Sequence, residues 1–125
     1  TDKICFANNC FNNGTMSDLE YTIYCRWHDW LCDTFSVKPN GFIYLRTDPE
    51  VSLKRIDKRN RAEEQSIPIE YLRTLHTLHD DWLMNIKDTP VLIINITDDI
   101  YHPDNKDKME QILSDIKNFI RTISQ

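Results

Sequence analysis

Val91-Leu92-Ile93-Ile94-Asn95-Ile96, residues 91–96, is the stretch on which the fold turns. Pro90 precedes it and Thr97-Asp98-Asp99 follows. Six residues is a strand's length, too short for a stable helix. A strand this apolar implies burial on both faces, as in a parallel sheet.

Working outward, Phe42-Ile43-Tyr44-Leu45 is the other short aromatic and β-branched run, and it predicts a second strand. The turn Lys38-Pro39-Asn40-Gly41 sets it off. Between the strands lie two helices. Thr47-Asp48-Pro49-Glu50 opens the first with a capping residue, an early proline and a first-turn acid, and it runs to about Arg59. Pro68 opens the second, where Leu72, Leu75, His76, His79, Trp82, Leu83 and Ile86 keep a 3.6-residue period.

Ser17 and Glu20 form a capping box ahead of a helix over 17–35. Leu19, Ile23, Trp27, Trp30 and Thr34 recur along one of its faces, widened by Tyr24 and Leu31. Pro103 opens the last helix, whose stripe is Met109, Ile112, Leu113, Ile116, Phe119, Ile120 and Ile123. Strands separated by helices predict an α/β fold with right-handed crossovers. Two strands make a poor sheet, so the element count predicts further strands beyond these.

The chain has 125 residues, one domain's worth, and a net charge of −5. The acidic balance argues against general nucleic-acid binding. No apolar run approaches the ~20 residues of a membrane span, and no signal peptide is visible. The first residue is Thr1 rather than Met, which leads us to expect a processed chain or part of a longer one. Cys5, Cys10, Cys25 and Cys32 form no C-x-x-C pair and are expected as reduced thiols.

Lys54-Arg55-Ile56-Asp57-Lys58-Arg59-Asn60-Arg61 concentrates five basic residues and one acid at a helix end. Arg55 and Arg59 are four apart and share a face. Arg61 lies where the chain can bend back. Three converging guanidiniums suit phosphate, because each offers a planar fork of donors. Spacing alone is equally compatible with a solvated basic helix end complementing the helix dipole. Glu63 and Glu64 follow, as surface ion-pair partners or as acceptors for a hydroxylated ligand. His76 and His79 lie on the apolar stripe with no further ligands, so no metal site is assigned. No G-x-x-x-x-G-K-[ST] loop exists, since the only glycines are Gly14 and Gly41. There is no G-x-S-x-G elbow either.

Three separated motifs, in order, resemble the deoxyribonucleoside kinases, nearest their deoxycytidine and deoxyguanosine branch. They are Thr1-Asp2-Lys3-Ile4-Cys5-Phe6-Ala7; Glu20-Tyr21-Thr22-Ile23-Tyr24 with Trp27-His28-Asp29-Trp30; and Arg55-x-x-x-Arg59-x-Arg61-x-Glu63-Glu64-Gln65-x-Ile67-Pro68-x-x-Tyr71-Leu72-x-x-Leu75-His76-x-x-His79-x-x-Trp82-Leu83. The resemblance covers nearly the whole chain. It implies the C-terminal part of a P-loop kinase-like α/β fold, residues 1–125, with a parallel sheet flanked by helices and a lid at about 54–66. The half that carries the family's phosphate loop would be missing.

The implied reaction moves the γ-phosphoryl group of ATP or another nucleoside triphosphate, with Mg²⁺, to the 5′-hydroxyl of a deoxynucleoside. By the resemblance, Arg55, Arg59 and Arg61 would be the catalytic lid, and Glu64 would accept a hydrogen bond from the sugar 3′-hydroxyl. Phe6 would stack on the base, and Asp2 would meet its polar edge beside Lys3, where the family usually has arginine. Thr97, Asp98 and Asp99 would lie against the donor nucleotide. No metal ligand is assigned to this chain. A homodimer is implied, with the aromatic helix 17–35 near the interface or packed into the core. The expected compartment is the cytoplasm, with the mitochondrion left open. Alone, the chain is expected to be inactive. The alternative is a truncated, non-catalytic homologue that binds a nucleotide or a partner protein.

Overall fold

A computed structural model describes residues 1–35, 38–64, 66–97 and 103–124. β1 (Phe42–Arg46) and β2 (Val91–Asn95) pair in parallel. Their register sets Tyr44 beside Ile93 and Arg46 beside Asn95. Parallel pairing needs a long connection. It is supplied by α3 (Pro49–Arg59) and α4 (Ile69–Leu83). Before the sheet lies α2 (Asp18–Phe35), and after it α5 (Lys106–Ile123), led by a 3₁₀ turn over Pro103–Asn105. The architecture is therefore mixed α/β: a parallel pair of strands flanked by helices.

The helix boundaries follow from their caps. The Ser17 amide donates to Glu20 Oε2 at 2.8 Å and the Glu20 amide returns to Ser17 Oγ at 3.4 Å, the reciprocal capping box. Asp48 caps α3 through the Glu50 amide at 3.0 Å, with Pro49 in the first turn, where its missing N–H costs nothing. α3 stops at Asn60, which adopts the left-handed conformation (φ 49°, ψ 45°). Among non-glycine residues, asparagine tolerates that conformation best. Gly41 sits in a tight place for a different reason. A Cβ there would stand 3.0 Å from Phe119 and 3.1 Å from Ile123, so α5 packs directly on the turn into β1.

Three features differ from, or go beyond, what the sequence led us to expect. First, residues 2–12, for which no element was expected, are helical. A wide π-type stretch (Asp2–Ala7) runs into α1 (Asn8–Asn12). No side-chain cap marks its start, so nothing local announces it. It packs against α2 and α4, and Cys5 is fully buried there.

Second, burial on both faces is incomplete: in residues 91–96 Ile94 and Ile96 are buried but Ile93 is exposed, and β1 is open on one side. Phe42, Tyr44 and Arg46 face α4: Phe42 meets Trp82 edge-on at 5.1 Å, and Tyr44 lies over His79. Ile43 and Leu45 remain exposed, Leu45 by 54%, because no further strand or helix among the described residues covers them. Third, the apolar stripe of α2 points away from the body. Tyr21, Tyr24, Cys25 and His28 lie on its packed side, with Phe11 stacked on Tyr21 at 4.4 Å. Leu19, Ile23, Trp27, Trp30, Leu31 and Phe35 are exposed, Trp27 by 60%. Tyr24 thus belongs to the packed side and not to that stripe.

Among the described residues no helix is long and apolar enough to cross a membrane. The four cysteines are free thiols.

Candidate functional site

The left-handed Asn60 turns the chain back on α3. That reversal brings Glu64, in a 3₁₀ turn over Ala62–Glu64, onto the last residue of the helix. Arg59 donates to Glu64 Oε2 from Nε at 3.0 Å and from Nη2 at 2.7 Å. Arg61 brings Nη1 to 3.7 Å from Glu64 Oε1. Two guanidiniums therefore converge on one carboxylate. Arg55 lies one helical turn before Arg59, exposed like Arg59 and Arg61.

The N-terminal residues form a second group. Asp2 Oδ2 accepts from the Tyr24 hydroxyl at 2.6 Å, and Lys3 Nζ donates to Asp29 Oδ1 at 2.5 Å. Burial, then the bond to Asp2, pushes the Tyr24 phenol well above its usual range. The bond to Asp29 holds the Lys3 ammonium above its usual value. These two bonds fix Asp2 and Lys3 on α2. Phe6 is half-exposed, with its ring edge-on to His79 at 6.0 Å. Thr97 is exposed beyond the end of β2. Asp98 and Asp99 lie outside the described residues.

α4 is the element shared by these groups. Its His79 meets Phe6 on one side and lies parallel to Tyr44 on the other, 6.1 Å between centroids. Its Arg73 donates to Glu50 Oε1 of α3 at 2.6 and 3.1 Å. Its Asp80 receives Arg46 Nε at 2.9 Å, Arg46 Nη2 at 2.7 Å and the Tyr44 hydroxyl at 2.9 Å. His76 completes the cluster. Its Nδ1 lies 3.1 Å from the Thr47 carbonyl oxygen, which can only accept, so Nδ1 carries the proton. Its Nε2 lies 3.1 Å from Arg46 Nη2 and 3.3 Å from Asp80 Oδ2.

Together these contacts tie the end of β1 and the first turn of α3 to α4. They border a cavity of about 290 Å³ lined by Tyr44, Thr47, Ser52, Leu72, His76 and His79, among others. Sequence reading missed this role of Arg46 and Asp80, and a period along one helix carries no signal for it. A charged residue closing an apolar strand was the available hint.

The bond from Arg46, with a smaller share from Tyr44, holds the Asp80 carboxyl below the usual carboxylate range. The sign follows from linkage. A depressed folded-state pKa gives stability that is complete above the unfolded value of ~3.9. It is lost as pH falls through the folded value. The urea midpoint is therefore expected to fall as the pH is lowered below about 4. In Asp80→Asn that part of the acid dependence should flatten. An equally steep fall in the variant would assign it to other carboxylates.

Among the described residues, no three His, Cys, Asp or Glu side chains gather into a metal-holding group. A sequence model of the family described as "Deoxynucleoside kinase" matches residues 1–121. Mouse deoxycytidine kinase is 38% identical over 98% of this chain and 50% of its own length. Chicken deoxycytidine kinase 2 is 36% identical over 96% of the chain and 49% of its own length. Human mitochondrial thymidine kinase 2 is 39% identical over 63% of the chain and 30% of its own length. The chain spans about half the length of the deoxycytidine kinases it matches.

Proposed function

The chain belongs to the deoxynucleoside kinase family, and on that premise we propose that it supplies the lid and part of the nucleoside site of a phosphotransferase. The reaction is transfer of the γ-phosphoryl group of ATP, or another nucleoside triphosphate, to a deoxynucleoside 5′-hydroxyl. The observation that carries this reading is the convergence of Arg59 and Arg61 on one carboxylate. A pair of guanidiniums aimed at a planar anion is the arrangement a phosphoryl group requires. Such chemistry depends mostly on positioning and on neutralising charge as it develops. Lid closure would also exclude water.

In this reading Arg55, Arg59 and Arg61 surround the transferring group and Glu64 accepts the sugar hydroxyl. Phe6 offers a ring face to the base. Asp2, held by Tyr24, meets the base's polar edge beside Lys3. Thr97, Asp98 and Asp99 border the donor nucleotide. Mg²⁺ would accompany the triphosphate, and no residue of this chain is assigned to it. No phosphate loop is encoded in the 125 residues, so the triphosphate cradle must come from elsewhere and the chain alone is expected to be inactive. That missing loop also supports a second reading, in which the chain binds nucleotide or a partner without catalysis. The two part in a transfer assay with the chain completed by a phosphate-loop half. Label passing from γ-labelled ATP to deoxycytidine supports the kinase, and none supports binding alone.

We further propose a homodimer paired through α2. Its exposed face is a continuous apolar strip, with Trp27 and Trp30 packed edge to face at 5.4 Å and Phe35 beyond. An exposed apolar strip of this kind marks an interaction surface. Trp27→Glu is expected to convert a dimer to a monomer in light scattering, with an unchanged circular dichroism spectrum. A native monomer would rule the dimer out.

A further inference from the structure

Glu64 is engaged by the same two arginines that the proposed lid would turn onto a phosphoryl group. In the structure its carboxylate is held by Arg59 through two donors on Oε2 and is approached by Arg61 at Oε1. It is also the more buried partner: its side chain is 20% exposed, against 49% for Arg59 and 62% for Arg61. The donors that would take a phosphoryl group are thus already turned onto an acid of the same loop. We propose that Glu64 is a built-in competitor for phosphate, and that an arriving phosphate both displaces it and releases it to accept a hydroxyl. This rests on the phosphate-binding lid proposed above and adds a coupling within it.

The coupling follows from donor geometry. A guanidinium fork directed at a carboxylate cannot at the same time present both donors to a phosphate. While Arg59 holds Oε2 with two donors, that oxygen is a poor acceptor, and only Oε1, with Arg61 Nη1 3.7 Å away, is left for a sugar hydroxyl. A phosphate that captures Arg59 and Arg61 removes both constraints in one step. Occupation of the phosphate position and occupation of the hydroxyl position therefore favour each other, and the favour is reciprocal by linkage. Without phosphate the charge of Arg59 and Arg61 is partly offset by Glu64, which also weakens capture of unrelated anions.

Glu63 provides an internal control. It is exposed and makes no ion pair among the described residues. Removing its charge changes the net charge of the loop as removing Glu64's does, without touching the arginine contact.

The test is calorimetric titration of the protein with pyrophosphate at low salt and without magnesium. Native protein is compared with Glu64→Gln, Glu63→Gln and Arg59→Ala. Pairs this exposed are worth up to about 1 kcal/mol, so Glu64→Gln should bind pyrophosphate roughly two- to fivefold more tightly than native. Glu63→Gln should bind within the error of native, and Arg59→Ala should bind clearly more weakly. Equal tightening in Glu63→Gln and Glu64→Gln would overturn the competitor and leave only a long-range charge effect. Loss of binding in Arg59→Ala without tightening in Glu64→Gln would overturn the competitor while the phosphate lid stands. Unchanged binding in Arg59→Ala, or no binding by any form, would overturn the lid and the inference with it.

Discussion

With the chain completed by a phosphate-loop half, Arg61→Ala is expected to lower kcat by about 10³-fold, with a much smaller change in KM. An arginine that neutralises charge on a transferring phosphoryl group contributes about 10³–10⁵ in rate, and we take the lower end because Arg59 remains. The asymmetry between kcat and KM follows from when the charge appears. Charge builds in the transition state, so its loss raises the barrier more than it weakens ground-state binding. Arg61→Lys should recover only part of the rate, since an ammonium restores charge but not the planar fork. Steady-state assays over a range of ATP and deoxynucleoside concentrations separate these outcomes. Activity within a few-fold of the native enzyme would remove Arg61 from the lid.

Asp80→Ala is expected to destabilise the fold by about 2–3 kcal/mol. The side chain accepts both Arg46 donors and the Tyr44 hydroxyl, and its loss leaves Arg46 Nε and the Tyr44 hydroxyl without a partner while Nη2 keeps only His76. Hydrogen bonds to a charged group contribute ~1.5–3 kcal/mol each, and a donor left unpaired costs more than the bond returned. Arg46 is one-third exposed and can turn to water, which keeps the figure at the lower end. Tyr44 is buried and cannot escape in that way. Burial and the Asp80 bond push its phenol well above the usual range, so it stays a donor throughout. Urea unfolding of Asp80→Ala beside Asp81→Ala gives the comparison, because Asp81 is exposed on the next position of the same helix. A loss under about 1 kcal/mol in Asp80→Ala would reduce the cluster to an ordinary surface pair.

Much of the fold is legible in the residues alone. The capping box at Ser17, the Asp48-Pro49 start of α3 and both strands lie where local chemistry places them. Each is a contest between neighbouring residues, and a neighbourhood is what a sequence records directly. The candidate site is legible in part. Spacing puts Arg55 and Arg59 on one face, and the acidic pair after Arg61 leaves ion pairing and ligand binding both open. The structure commits Glu64 to Arg59. The deciding residue is Asn60, whose left-handed turn folds the loop back on the helix.

The residues themselves determined the order of the elements, the basic segment and the family to which the chain belongs, because these rest on composition, period and motif. Tertiary structure alone decided three things. It turned the apolar stripe of α2 outward, since an amphipathic period shows that a helix has two faces and not which one meets the body. It made residues 2–12 helical, through burial of Cys5, Ala7 and Asn9 rather than through a cap. And it joined Arg46 to Asp80 across 34 positions of sequence. No local pattern specifies a bond of that span. It exists because parallel pairing of β1 with β2 requires a crossover, and the crossover lays α4 across the end of β1.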